Sequence, residues 1–215
     1  MNDDTPYDAS ALLAPVAVLY AHRLKQFGAS PRGVFWRHQF GQFLRFDILI
    51  GIVDENERQG GLIFNDLGCG YGAFFDFLKD RPEMRDSRFV GYDISAEMIA
   101  RAKKGIGDPR AAFLESQIAV YEADYSFASG TYNMKLDTDN ETWNHYVKES
   151  LRHLWTRSRR GLAFNMLDIG GYQEDSGLYF ANPKDFVDFC ENELSTNVTL
   201  VDNHPLKEWT IYVRR

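Results

Sequence analysis

Residues 64–75 read FNDLGCGYGAFF, with Gly68, Gly70 and Gly72 at every second position behind an apolar run that ends in Asp66. Glycine lacks Cβ, so it tolerates positive φ and lets a ligand come close to the backbone. Three glycines between a predicted strand, LIFNDL (62–67), and a predicted helix, GAFFDFLKD (72–80), describe a tight turn aimed at a ligand. A βα turn that binds nothing is the competing reading, and three glycines in five positions weigh against it.

The alternation continues down the chain. RFVGYD (88–93) reads as a strand, and SAEMIARAKK (95–104) as a helix with Ser95 as N-cap. AAFLES (111–116) and YEADYSFAS (121–129) read as strands three and four, and ETWNHYVKESLRHLW (141–155) as a helix. GLAFNML (161–167) reads as strand five. NPKDFVDFCENEL (182–194) is a predicted helix with Asn182 as cap and Pro183 in its first turn. The last 19 residues, 197–215, read as two strands around an Asn203–Pro205 turn. Before the glycine loop, residues 9–27 read as a helix with a break near Pro15. GASPRG (28–33) is a turn cluster, and 37–58 carries a helical stripe of Phe40, Phe43, Leu44, Ile48 and Ile52.

Strand–helix alternation implies parallel strands with right-handed crossovers, hence an α/β fold with a doubly wound, seven-stranded, mostly parallel sheet closed by an antiparallel hairpin. Such sheets bind ligands at the carboxyl ends of their strands, where the strand order reverses, and the glycine loop belongs there. The expected organisation is one compact unit: an N-terminal helical cap (1–58) on a cofactor-binding core (59–215).

Two ligands compete for the loop. G-C-G-Y-G-A satisfies the dinucleotide pattern G-x-G-x-x-G/A. Asp93, at the end of strand two, can accept from ribose hydroxyls, but at 93 − 68 = 25 residues past Gly68 it lies beyond the ~20 of a dinucleotide site. Asp66 discriminates further. A carboxylate at the strand tip repels a diphosphate and suits an ammonium group, or it holds the loop by accepting N–H bonds.

FNDLGCGYG followed by VGYDISAEMIARAKK resembles motifs I and II of the class I S-adenosylmethionine-dependent methyltransferases. The likeness runs from about Leu62 to the closing hairpin, and SPRGVFW…LRF is similar to small bacterial members. The resemblance implies a Rossmann-like core binding S-adenosylmethionine, with S-adenosylhomocysteine as product. It implies that Asp66, Gly68 and Gly70 line the methionine moiety, that Asp93 binds the ribose and that Ile94 lies on the adenine. Ser116 or Gln117 stands where the family's adenine-side acid is expected. The loop after strand four, Ser129 to Asn133, faces the methyl group in this family. Its sequence, SGTYN, lacks the two prolines of members that methylate nucleic-acid bases. Two readings stand for Arg45: pairing with the cofactor's carboxylate through its fork, or snorkelling over Phe46. Trp36 and Tyr20 are candidates to close the pocket from the cap, or core aromatics.

A general base is needed only if the nucleophile must lose a proton. Tyr132 and His145 are the candidates, and Trp36, Tyr132 and Trp143 are expected to surround the acceptor. The expected function is methyl transfer to a small molecule by in-line displacement. The alternatives are an NAD(P)-type oxidoreductase and a cofactor-binding regulatory protein without turnover.

Composition narrows the partners. A formal net charge of −7 over 215 residues speaks against nucleic acid. The one dense basic stretch, Arg152 to Arg160, reads as a helix end or an anion site. Two cysteines, Cys69 and Cys190, give no disulfide framework. The five histidines have no metal spacing, and neither H-E-x-x-H nor G-x-S-x-G occurs. MNDDTPYD has no basic n-region with an apolar h-region, and no apolar run approaches a membrane span. The expected location is the cytoplasm, as a monomer or homodimer.

Overall fold

The computed structural model describes residues 7–171, 173 and 176–215. Residues 1–6 of the N-terminal stretch read for a signal peptide lie outside the described residues.

The strands are β1 (Ile63–Leu67), β2 (Arg88–Asp93), β3 (Ala111–Glu115), β4 (Ala123–Ser129), β5 (Ser158–Asp168), β6 (Phe180–Ala181), β7 (Asn197–Val201) and β8 (Glu208–Arg214). The sheet order is β3-β2-β1-β4-β5-β8-β7, with β6 beside the end of β5. The pairs from β3 through β5 are parallel, and β8 is antiparallel to both β5 and β7. The order reverses between β1 and β4, so the loops after these two strands face one crevice. The fold class matches the sequence reading, with β6 added. Two residues long, it has no hydrophobic period to betray it.

The helices are α1 (Ser10–Phe27), α2 (Gln39–Ile50), α3 (Ala73–Leu78), α4 (Ala96–Gly105), α5 (Asn140–Thr156) and α6 (Pro183–Glu193). Helices α4, α5 and α6 start at side-chain caps. Ser95 Oγ accepts the Met98 N–H at 3.3 Å, Asp139 Oδ1 the Thr142 N–H at 2.8 Å, and Asn182 Oδ1 the Lys184 N–H at 3.0 Å. Two apolar clusters cover the sheet's faces, because neighbouring strand residues alternate between them. Phe164, Ile211 and Val213 join Leu13, Trp143 and Phe186 on one side. Ala163 and Tyr212 join Phe46, Leu49 and Phe74 on the other. Helix α2 therefore packs on the sheet itself, sharing its core with Phe64 and Phe127.

Three local expectations are corrected. Helix α1 runs through Pro15 without a break; Pro15 is solvent-exposed, while Leu13 and Val16 anchor the turn on either side of it. Helix α2 stops at Ile50, not 58, because the Tyr212 hydroxyl donates to the Ile48 carbonyl and Gly51 follows tightly beneath it. The basic stretch divides between the end of α5 and the start of β5, and carboxylates pair three of its arginines. Arg152 meets Glu149 and Glu193, Arg159 meets Glu122, and Arg160 meets Glu57 and Asp124. Both cysteines are free and buried.

Candidate active site

The loop after β1 is held largely by the neighbouring strand. The N–H groups of Gly68 and Cys69 both donate to the Tyr92 carbonyl, at 2.8 and 2.9 Å. The Gly70 N–H donates to Asp93 Oδ2 at 2.8 Å, and the Ser95 N–H to Asp93 Oδ1 at 2.9 Å. Three loop N–H groups are thus spent inside the protein, which leaves fewer donors for a diphosphate than the bare glycine pattern implies. Gly68 has φ +78, and a Cβ there would sit 2.6 Å from Thr131 Oγ1. Thr131 Oγ1 in turn donates to the Leu67 carbonyl at 2.6 Å, tying the loop after β4 to the tip of β1. Gly72, with φ +87, lets α3 close on β3: a Cβ would lie 2.4 Å from Ile106 Cδ1 and 3.1 Å from the Phe113 ring.

Around these loops lies a cavity of about 890 Å³, its mouth included. Eight of the expected cofactor residues line it: Asp66, Gly68, Gly70, Asp93, Ile94, Ser116, Gln117 and Ser129. Two of them carry polar atoms without a partner in the protein: Asp66 Oδ1 and Ser129 Oγ are buried and unbonded. Burial, then the nearby Asp93, pushes the Asp66 carboxyl up to about 8. Burial raises Asp93 to about 6, with N–H donors from Ser95, Gly70 and Ile94 holding it down. The site therefore keeps two carboxyl groups where a cation or hydroxyl groups would relieve them. Gln117 also tethers the start of α1, accepting the Ala9 N–H at 3.1 Å.

The other expected site residues fall elsewhere. Arg45 does not line the cavity. Its Nε donates to Glu208 Oε2 at 2.7 Å and its Nη1 to the Gly41 carbonyl at 2.8 Å, while its guanidinium stacks 3.8 Å from the Trp36 ring centroid. A buried carboxylate and a backbone carbonyl have taken the donors expected to meet the cofactor. Tyr132 is fully buried, with its hydroxyl 2.9 Å from Ser150 Oγ, and burial drives its pKa up. Trp143 is buried against it, donating Nε1–H to the Tyr132 carbonyl at 2.8 Å. Neither lines the cavity, and neither is placed to touch an acceptor. His145 sits on the exposed side of α5, its ring edge-on to Tyr7 at 5.3 Å. Of the three residues expected around the acceptor, only Trp36 lines the cavity.

Residues missed in the sequence complete the walls: Gln42 from α2, Tyr71 in the glycine loop, and Tyr146 from α5. The Tyr71 hydroxyl reaches Gln42 Oε1 at 3.4 Å. Helical phase could have found Tyr146. The buried face of α5 runs through Trp143, Tyr146, Val147, Ser150 and Leu154, and His145 is off that stripe.

Tyr132→Phe tests the reassignment. Losing the bond to buried Ser150 is expected to destabilise by about 1 kcal/mol, lowering Tm by roughly 2–4 °C in a chain of this size. Cofactor affinity and turnover should stay within twofold of wild type. A hundredfold loss of turnover in a folded variant would restore Tyr132 to the chemistry.

The strand order reverses between β1 and β4, a glycine turn lies beneath the reversal, and carboxylates stand at the ends of β1 and β2: a Rossmann-like core with a ligand crevice. Residues 65–161 match the family described as a methyltransferase domain. "Putative methyltransferase Rv1506c" of Mycobacterium tuberculosis (strain ATCC 25618 / H37Rv) is 38% identical over 156 residues, covering 70% of this chain and 92% of that protein. The chain belongs to the class I S-adenosylmethionine-dependent methyltransferase family. Among solved structures, magnesium protoporphyrin IX methyltransferase (ChlM) of Synechocystis PCC 6803, with bound S-adenosylmethionine, superposes with a TM-score of 0.65. It is 12% identical, and the match covers 98% of this chain and 99% of that one. The cyclase SpnF has the same fold, with a TM-score of 0.62 at 15% identity, covering 92% of this chain and 76% of that one. Fold alone therefore does not fix the reaction. Among the described residues no His, Cys, Asp and Glu cluster could hold a metal ion, and no helix is long and apolar enough to cross a membrane.

Proposed function

We propose that this chain binds S-adenosylmethionine in the cavity and transfers its methyl group to a small, uncharged acceptor by in-line displacement, leaving S-adenosylhomocysteine. One observation carries the reading: Asp66 Oδ1, buried and unbonded, beside Asp93 at the ends of adjacent strands. Asp66 suits the cofactor's ammonium group and Asp93 its ribose hydroxyls. Ile94 and the Ser116–Gln117 turn suit the adenine, and Ser129 Oγ adds one more polar contact. The bound cofactor supplies an activated methyl group on sulfur, so the protein's work is approach and orientation. Helices α1 and α2 and the linker carrying Trp36 serve as the roof over that approach. The oxidoreductase reading is not favoured, because the family match is to methyltransferases and the loop spends its N–H groups internally.

The acceptor's charge follows from the wall. Among the residues lining the cavity there is no Lys, Arg or His, while there are two carboxyl groups and the rings of Tyr20, Trp36, Phe46, Tyr71, Phe74 and Tyr146. Apart from the cofactor's own sulfonium, an anionic acceptor would meet no cation from the protein and two carboxyl groups, which disfavours it. A planar, uncharged molecule gains the aromatic contact area. None of those lining groups is a base suited to neutral pH other than the two cofactor-side carboxylates. The acceptor atom is therefore one that attacks without an enzymic base.

The expected outcome is S-adenosylhomocysteine formation with anilines or pyridine-type nitrogens as acceptors, whose lone pair is free at neutral pH, and none with benzoates or aryl phosphates. Mass spectrometry with a methyl-deuterated donor reads both series. Faster transfer to the anionic series would contradict the assignment.

A further inference from the structure

Glu208 opens β8 far from the glycine loop in sequence, and its side chain is 1% exposed. It is shared. Oε2 accepts from Arg45 Nε at 2.7 Å, and Oε1 accepts from Asn165 Nδ2 at 3.0 Å. Asn165, in β5 and fully buried, uses its Oδ1 to accept the Gly130 N–H at 2.7 Å. Gly130 has φ +66, and a Cβ on it would fall 2.6 Å from Trp36 Cζ2, so the indole rests against its backbone. Arg45 lies over the face of that same indole. The contacts close on themselves: Gly130, Asn165, Glu208, Arg45, Trp36 and back to Gly130. They join the linker before α2, α2 itself, the loop after β4, β5 and β8.

Only the two ends of this circuit, Trp36 and Gly130, line the cavity. Arg45, Glu208 and Asn165 lie behind them. A buried ion pair is weak evidence for stability, because desolvation offsets most of its attraction. Its better-attested use is to hold one geometry among several. Replacing Arg45 by Lys would keep the charge but lose both the planar stack and the fork.

We infer that Glu208 is a positioning residue: through Arg45 and Asn165 it pins Trp36 to the loop after β4, so that roof and crevice present one fixed wall. The inference rests on the cofactor reading above for its meaning, but its geometry can be tested without it. Trp143, Trp155 and Trp209 are buried, and Trp36 is the half-buried tryptophan, so acrylamide quenching of intrinsic fluorescence reports chiefly on Trp36.

Three variants make the test: Glu208→Gln, Arg45→Lys, and the double Arg45→Met/Glu208→Gln, which removes both buried charges and so is the least costly to fold. In folded protein at 25 °C, the quenching constant is expected to rise at least twofold in all three. S-adenosylhomocysteine, titrated calorimetrically, should bind three- to tenfold more weakly. It should also protect Trp36 from quenching in wild type and less so in the variants. A purely structural role would lower Tm and leave quenching below the transition unchanged. Wild-type quenching in Glu208→Gln and in the double variant would overturn the inference. Failure of the wild-type protein to bind S-adenosylhomocysteine would instead sink the cofactor reading, with the quenching comparison still deciding the assignment of Glu208.

Discussion

Asp93→Ala is expected to weaken S-adenosylhomocysteine binding by tenfold or more, up to a hundredfold, as read by calorimetric titration. Two losses combine. The ligand's hydroxyl groups lose a charged acceptor in a buried site, worth about 1.5–3 kcal/mol per such bond. The Gly70 and Ser95 N–H groups lose the oxygens that fix them at 2.8 and 2.9 Å, so the loop itself slackens. Asp93→Asn separates the two. Asn keeps the shape and one oxygen but brings two donors where N–H donors already point, so it should fall between wild type and Ala. Affinity unchanged in Asp93→Ala would remove Asp93 from the site.

The second large effect is a pH dependence that runs opposite to ordinary acid denaturation. Asp66 and Asp93 have folded-state pKa values raised to about 8 and about 6, chiefly by burial. A raised carboxyl pKa gives stability that is complete below the unfolded value near 4 and is lost as pH rises through the folded value. Without ligand, these two groups should therefore lower Tm as pH increases from 5 to 8. A cationic ligand group beside Asp66 favours its ionised form and reverses this. Binding between pH 6 and 8 should release up to one proton, seen as a dependence of the calorimetric heat on buffer ionisation enthalpy. Affinity should rise with pH across that window, by at most tenfold per unit. In Asp66→Asn the proton release should disappear. Because Asp93 adds to the Asp66 shift, Asp93→Ala should move the affinity profile to lower pH. Proton uptake on binding would contradict the ammonium assignment.

The parts of this protein legible in its sequence are those governed by local physics. Strand–helix alternation, the caps at Ser95 and Asn182 and the glycine turn are set by residues a few positions apart. The fold class and a crevice at the strand ends follow from them. Asp66 and Asp93 were readable because a carboxylate at a strand tip has only the crevice to face. What depended on distant partners was not readable. Arg45 meets a carboxylate 163 residues away, and no local signal distinguishes that from a ligand contact. Tyr132 and Trp143 looked like an acceptor wall because the loop after β4 faces the crevice. The chain turns there, with Gly130 in the left-handed region and the Tyr132 side chain in the core, and the buried face of α5 takes Trp143 in beside it. The choice between His145 and Tyr146 depended on about 100° of helical phase. A window holding both a titratable and an aromatic candidate leaves that open until the buried stripe is counted.

The measurement closest to the central claim is a calorimetric titration of the wild-type chain with S-adenosylmethionine, beside NAD and NADP, at pH 7.5. The expected result is one site per chain with micromolar affinity for the methyl donor, competition by S-adenosylhomocysteine, and no saturable heat from either dinucleotide. Saturable dinucleotide binding with none of the methyl donor would contradict it.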